Sequence, residues 1–182
     1  MDETYIKIKK VWFYLYRAVD SQGNTLEFLL SPTRNTEAAT RFFLKALHFS
    51  TDGASQAHPV EEQMSQPAAA ANPAILTLRV INVDKNAAYP KAVANLKAAG
   101  VLPDHVELRQ VTYLNNLIEQ DHRFIKRLTK PGMGFFSFET AWRTLQGYEM
   151  MNMLRKGQIQ RVDKGDVKGQ AALVARLFGV VA

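Results

Sequence analysis

The chain has 182 residues, 47% hydrophobic and 22% charged, with a formal net charge of +6. That is the composition of a soluble globular protein about one domain in size, with enough apolar residues for a core. No cysteine is present, which excludes disulfides, thiolate metal sites and a cysteine nucleophile and suits a cytoplasmic protein. No stretch approaches the roughly 20 apolar residues of a membrane helix, and the acidic start Met1-Asp2-Glu3-Thr4 is no signal peptide.

Residues 4–30 read as three consecutive strands. Thr4 to Ile8 and Val11 to Val19 are rich in β-branched and aromatic residues, with Lys9-Lys10 between them at hairpin spacing. The second run is apolar on both faces, the pattern of a strand covered on both sides. Asp20-Ser21-Gln22-Gly23-Asn24 is a turn, and Thr25 to Leu30 returns as the third strand of an antiparallel meander. Asn35 or Thr36 can cap a helix running to about Phe49, with Phe42, Phe43, Ala46 and Leu47 on its buried face and Arg41 and Lys45 toward solvent.

Residues 50–74 are rich in Ser, Gln, Pro and Ala and predict a long mobile loop. His48 and His58, in or near it, lack a partner at metal-ligand spacing and read as surface histidines. A β-branched strand over 75–84 ends in Asp84; a helix over 87–99 follows, tolerating Pro90 in its first turn and stopping at Gly100. A strand over 106–111 leads into a helical stretch over 114–130. Pro131-Gly132 halts it, Ser137 can cap a last long helix to Lys156, and Gly157 closes that helix. Phe138, Trp142, Leu145, Tyr148 and Met151 read as its core stripe. A Lys/Gly-rich connector and a short amphipathic segment over 171–178 complete the chain. Strand, helix, strand, helix after a meander predicts an α/β fold: a mixed sheet of three antiparallel and two parallel strands, flanked by helices.

The charge is unevenly placed. Residues 1–108 contain 11 Lys/Arg and 11 Asp/Glu, whereas residues 109–182 contain 12 and 6, so the whole excess lies in the second part. A basic half suggests a polyanionic partner, most often nucleic acid. At about 100° per residue, His122, Arg123, Lys126 and Lys130 share the face of Glu119, while Leu114, Leu117, Ile118, Ile125 and Leu128 fall mainly opposite. Taken alone, that is a solvated helix face carrying a weak Glu119–Arg123 pair.

Three carboxylates stand out by location: Asp2 at the start of the first strand, Asp84 at the end of a later one, and Glu119 on the polar face of the helix. Each has a plain reading, as a frayed terminal charge, a helix cap and a surface glutamate. Together they are oxygen ligands on separate elements at one sheet edge, the donor set that hard divalent cations take.

Several runs resemble one family. Asp2-Glu3-Thr4-Tyr5-Ile6-Lys7, the tract from Tyr14 to Ser21, Asp84-Lys85-Asn86 with Tyr89-Pro90-Lys91, the stretch from Leu114 to Arg127, and Lys130-Pro131-Gly132-Met133-Gly134-Phe135 all resemble bacterial insertion-sequence DDE transposases of family six. The likeness covers nearly everything except 50–74. It implies a ribonuclease-H-like fold over 1–157, with 158–182 as a connector and short helix. It also implies Asp2, Asp84 and Glu119 as a metal-binding triad, with thirty-four residues between the last two. Two Mg²⁺ ions, or Mn²⁺, would serve DNA strand cleavage and strand transfer. Lys126 is the basic residue the family places two turns after the glutamate; it would position DNA, with Arg123 and Lys130 beside it.

The implied partners are the terminal inverted repeats of an element, its target DNA, and further copies of the chain in a homodimer or larger synaptic assembly. Family members carry a helical DNA-binding segment before the first aspartate, and here the chain starts one residue before it. The expected chain is therefore N-terminally truncated. Two outcomes stay open: a strand-transferring catalytic domain, or a catalytically silent fragment that binds DNA or an intact transposase and regulates it. A host nuclease of the same fold is a third, opposed by the run from Asn115 to Arg123.

Overall fold

A computed structural model describes residues 1–49, 78–111, 116–160 and 162–180. The predicted loop at 50–74, His58, Leu114 and the leading part of the strand predicted over 75–84 lie outside the described residues. The elements are β1 (Asp2–Ile8), β2 (Val11–Val19), β3 (Thr25–Ser31), α1 (Thr36–Phe49), β4 (Val80–Val83), α2 (Ala88–Ala98), β5 (Glu107–Gln110), α3 (Asn116–Thr129), α4 (Phe138–Lys156) and α5 (Val167–Leu177). A single 3₁₀ turn, Lys130–Gly132, follows α3.

The meander forms as its sequence predicts. β1 and β2 pair antiparallel from Asp2 opposite Arg17 to Ile8 opposite Val11, and Lys9 and Lys10 turn the corner with positive φ. Asp20 builds the next turn, its Oδ1 accepting from the amides of Gln22 and Asn24 at 2.8 and 2.9 Å, and Gly23 takes φ +84°. β3 then pairs antiparallel with β2. β4 and β5 form a separate two-stranded parallel sheet.

A single mixed sheet was expected, and the described strands make two. β4 reaches the free edge of β1 at its very start, where the Met1 amino group donates to the Asn82 carbonyl at 2.7 Å, and ends one residue later at Val83, so no ladder forms between them. Further along, the edge is taken by the segment after α3: Phe135 and β1 exchange two backbone hydrogen bonds of 2.8 Å, Lys9 N–H to Phe135 O and Phe135 N–H to Lys7 O. Gly134 permits this approach. At φ +120°, a Cβ there would stand 2.8 Å from the Lys7 carbonyl oxygen.

Side-chain alternation along β2 separates two cores. Tyr16 and Ala18 join Phe42 and Phe43 of α1, Val83 of β4 and Tyr89 of α2 on one face. Leu15 joins Ile6, Ile8 and Leu30 with Ile125 of α3 and Ala141 and Leu145 of α4 on the other. Helices therefore cover the meander on both sides, as the two-faced apolar pattern of β2 required. Sequence-read caps hold too. Asn35 Oδ1 accepts from the Ala38 amide at 2.9 Å, and Ser137 Oγ accepts from Thr140 N–H at 3.1 Å.

Three expectations need correction. Phe138 and Met151 are exposed, while α4 buries Ala141, Leu145, Glu149, Asn152 and Leu154, so its inward face is partly polar. On α3, Leu117 and Leu128 are exposed, and Ile118, Asp121, His122 and Ile125 are the buried residues. Lys45 does not point simply to solvent: its Nζ pairs with Glu27 at 3.0 Å and lies 4.8 Å from the Trp142 ring centroid.

Candidate active site

Two consecutive acids open β1, and strand geometry sends them to opposite faces. Asp2 faces α3, where its Oδ2 lies 3.5 Å from His122 Nε2. Its Oδ1 accepts from the Glu3 amide at 2.8 Å. His122 is buried, and neither of its ring nitrogens makes a hydrogen bond. It therefore belongs under α3 against Asp2, not on the polar face with Glu119. A helix whose inward side must cover a carboxylate recruits a polar residue to that side, which simple apolar periodicity does not anticipate.

Glu3 turns the other way and is almost wholly buried. It accepts hydrogen bonds from Arg34 Nε, from the Tyr89 hydroxyl and, at 3.2 Å, from Asn86 Nδ2. Burial, and then the Glu3 carboxylate, push the Tyr89 hydroxyl far above its ordinary pKa. Tyr16, in the same core, is raised to about 12 by burial and by Glu3. Glu3 thus ties β1 to the segment between β4 and α2 and to the Arg34 loop after β3.

Asp84 stands immediately after β4. Its Oδ1 accepts from Lys85 N–H at 2.6 Å, and its Oδ2 lies 3.8 Å from Arg34 Nη2. It does not cap α2; Asn86 Oδ1 receives the Ala88 amide at 3.0 Å instead. The helix-cap explanation of Asp84 is removed. Arg34 bridges Glu3 and Asp84, so the start of β1 and the end of β4 share one cation.

Glu119 lies in the first turn of α3 and is exposed, as are Arg123, Lys126 and Lys130. The predicted cationic face around Glu119 therefore exists with three cations rather than four, since His122 is inside. Among the described residues no group of three or more His, Asp or Glu side chains is placed to hold a metal ion. Asp2 is drawn to His122 and Asp84 toward Arg34, while Glu119 faces outward.

Behind α3 is a network that sequence reasoning missed. Arg17 is fully buried; its Nε and Nη2 donate to the Glu149 carboxylate at 2.6 and 2.7 Å, and Nη2 donates to Asp121 Oδ2 at 2.6 Å. Asp121 Oδ1 also accepts from Asn152 at 3.0 Å and faces Lys156 Nζ at 2.7 Å. Burial opposes ionisation of Asp121, but Arg17, Lys156 and Asn152 outweigh it and hold the carboxyl below its ordinary range. The available signal was Arg17 itself, a lone charge in a strand apolar on both faces, which needs buried acids opposite.

The matched DDE domain family spans residues 1–66 and 69–158, and so takes in Asp2, Asp84 and Glu119. The chain is a member of the insertion-sequence DDE transposase family. It is 35% identical over 159 residues, 86% of its length, to the transposase for insertion sequence-like element IS431mec of Staphylococcus aureus strain Mu50. The same values hold for the transposase for insertion sequence element IS257 in transposon Tn4003 of that species. An uncharacterized protein of Yersinia pseudotuberculosis, pYV0051, is 32% identical over 100 residues, 55% of this chain and 73% of its own. The chain spans 57% of the length of the staphylococcal transposases it matches. No solved structure matches it. Family membership accords with the order of motifs from Asp2-Glu3-Thr4-Tyr5 through to Gly134-Phe135. No helix among the described residues is long and apolar enough to cross a membrane.

Proposed function

We propose that residues 1–157 are a ribonuclease-H-like catalytic domain that cleaves DNA strands at the ends of an insertion sequence and transfers them to target DNA. The observation that supports this most is the family match, whose span contains three carboxylates, on β1, just after β4 and on α3. In this reading Asp2, Asp84 and Glu119 are the metal ligands. Three carboxylates are the hard oxygen donors that Mg²⁺ or Mn²⁺ takes, so the donor chemistry fits. When bound, such ions would supply activation of the attacking oxygen and charge relief at the leaving one.

The remaining work falls to the chain's own side chains. The Asp2–His122 contact and the Arg17–Asp121 bond hold α3 against the meander at two points, and so set where Glu119 stands. Arg34 neutralises Glu3 and sits beside Asp84, keeping the end of β4 close to β1. Lys126, with Arg123 and Lys130 flanking it, presents exposed cations on the Glu119 face to the phosphates of the DNA. Residues 158–182 are an appendage to this unit.

A second reading, a DNA-binding chain without catalysis, is favoured by one observation: Asp2, Asp84 and Glu119 are each engaged or directed apart. Strand transfer separates the two. With Mg²⁺ present, pre-cut ends carrying the sequences that flank the gene should be joined to a target plasmid, and Asp84→Asn and Glu119→Gln should each abolish joining while leaving DNA binding intact. If joining survives both substitutions, the triad assignment is wrong. If the wild-type chain joins nothing yet binds the same ends, the silent reading replaces the catalytic one.

A further inference from the structure

Beside the Glu119 face lies a polar cleft of about 540 Å³, walled by α3, α4, the β2–β3 turn and the connector before α5. Arg123 and Arg127 of α3, Arg155 of α4 and Lys164 of the connector line it, and all four are exposed. Its floor is Asp121 with Asn152 and Lys156. That single acid is already bonded to Arg17, Asn152 and Lys156, so it does not neutralise the cations around the rim. Arg155 lies over the Phe124 ring at 5.0 Å, which holds its guanidinium at the cleft wall.

Like charges drawn together on three elements repel, and a concave wall concentrates their field on whatever occupies the cleft. We infer that this cleft, which shares only Arg123 with the Glu119 face, is a further binding site for the sugar–phosphate backbone of DNA, lying beyond the three acids. Spread cations and the neutral amide donors of Gln22 and Gln120 match a chain of phosphates better than one small anion. The place of the cleft also fits. On an ideal helix Arg123 and Arg127 lie about 40° and 80° round from Glu119, so they form a continuous rim between the acid's face and the cleft. A strand passing Glu119 can therefore continue into it. Naming DNA as the polyanion rests on the transposase reading; the existence of a cationic site does not.

The test measures binding of a fluorescent duplex of about 30 base pairs to the full chain carrying Glu119→Gln, without divalent metal and over a range of salt, so that failure of the catalytic reading leaves the result interpretable. Adding Arg127→Gln and Arg155→Gln should weaken binding roughly tenfold or more and lower the slope of log affinity against log salt by about 0.9 for each phosphate no longer neutralised. The control pair Arg41→Gln and Lys91→Gln removes the same charge from exposed positions on α1 and α2 and should change binding little. Unchanged melting temperatures for both pairs exclude misfolding. Equal losses for the two pairs, or an unchanged salt slope for the cleft pair, would overturn the proposal. So would a cleft pair that loses binding to polyglutamate while keeping its affinity for DNA, since the site would then take an acidic protein segment.

Discussion

Replacing Arg17 by methionine keeps much of the length of the side chain and removes a cation from between two buried carboxylates. Glu149 then loses both of its hydrogen bonds from Arg17, at 2.6 and 2.7 Å, whereas Asp121 keeps Lys156 and Asn152. Removing one partner of a buried pair costs about 3–5 kcal/mol, because the remaining charge stays out of water. Against a typical total stability of about 5–15 kcal/mol that is a large fraction. For a domain of this size it corresponds to a melting temperature lower by roughly 6–20 °C. Urea unfolding followed by circular dichroism gives the free energy and calorimetry gives the temperature. The double variant Arg17→Met with Glu149→Met removes one charge of each sign and leaves Asp121 with Lys156 and Asn152, so it should recover most of the loss. A single variant within about 1 kcal/mol of the wild type would show that the network carries no buried charge, and the account of how α3 is held would fail.

Acid should expose the same network. The carboxyl of Asp121 is held below its ordinary value, so its contribution to stability is present above about pH 4 and is lost as pH falls through the lower folded value. Stability measured from neutral pH downward should fall most steeply below about pH 4, and Asp121→Asn should flatten that fall. Tyr89→Phe removes the hydroxyl that donates to buried Glu3 and should destabilise by about 1.5–3 kcal/mol in urea titration; an unchanged midpoint would mean the bond is idle. Gly134→Ala places a Cβ against the Lys7 carbonyl at a φ of +120°, and should cost about 1–3 kcal/mol and free the Phe135 amide to hydrogen exchange. Ser137→Ala deletes the cap of α4 and should cost about 1 kcal/mol.

Local chemistry made much of this fold legible. The Lys9-Lys10 corner, the Asp20 turn, the Asn35 and Ser137 caps and the Gly157 stop each follow from what a few adjacent residues can do with backbone groups. Apolar periodicity was less reliable where a helix covers charge. On α3 it assigned His122 to solvent and Leu117 to the interior, yet His122 lies under the helix against Asp2 and Leu117 is exposed. On α4 the apolar stripe through Phe138 and Met151 gave way to a face bearing Glu149 and Asn152. Both misreadings have one source: Arg17 and Asp2 point from the sheet toward these helices, and their partners must be polar. The contact of Phe135 with the edge of β1 was illegible for another reason: its partners Lys7 and Lys9 lie far away along the chain.

The two acids at the start of β1 give the candidate site its architecture. Because consecutive strand residues face opposite layers, Asp2 reaches the α3 layer and Glu3 the α1–α2 layer from adjacent positions. The first packs 3.5 Å from His122, beneath the helix that carries Glu119; through Tyr89, Asn86 and Arg34 the second anchors the segment that carries Asp84. A shift of β1 by one residue would exchange the two faces and break both links together. The positions of Asp84 and Glu119 therefore depend on the register of β1 against β2, in which Asp2 stands opposite Arg17. Arg17, in turn, holds α3 through Asp121 on the same face as Asp2, so the helix is fixed from two adjacent strands. What presents Glu119 outward beside Arg123 and Lys126 is thus not the helix's own polar face but two buried contacts beneath it.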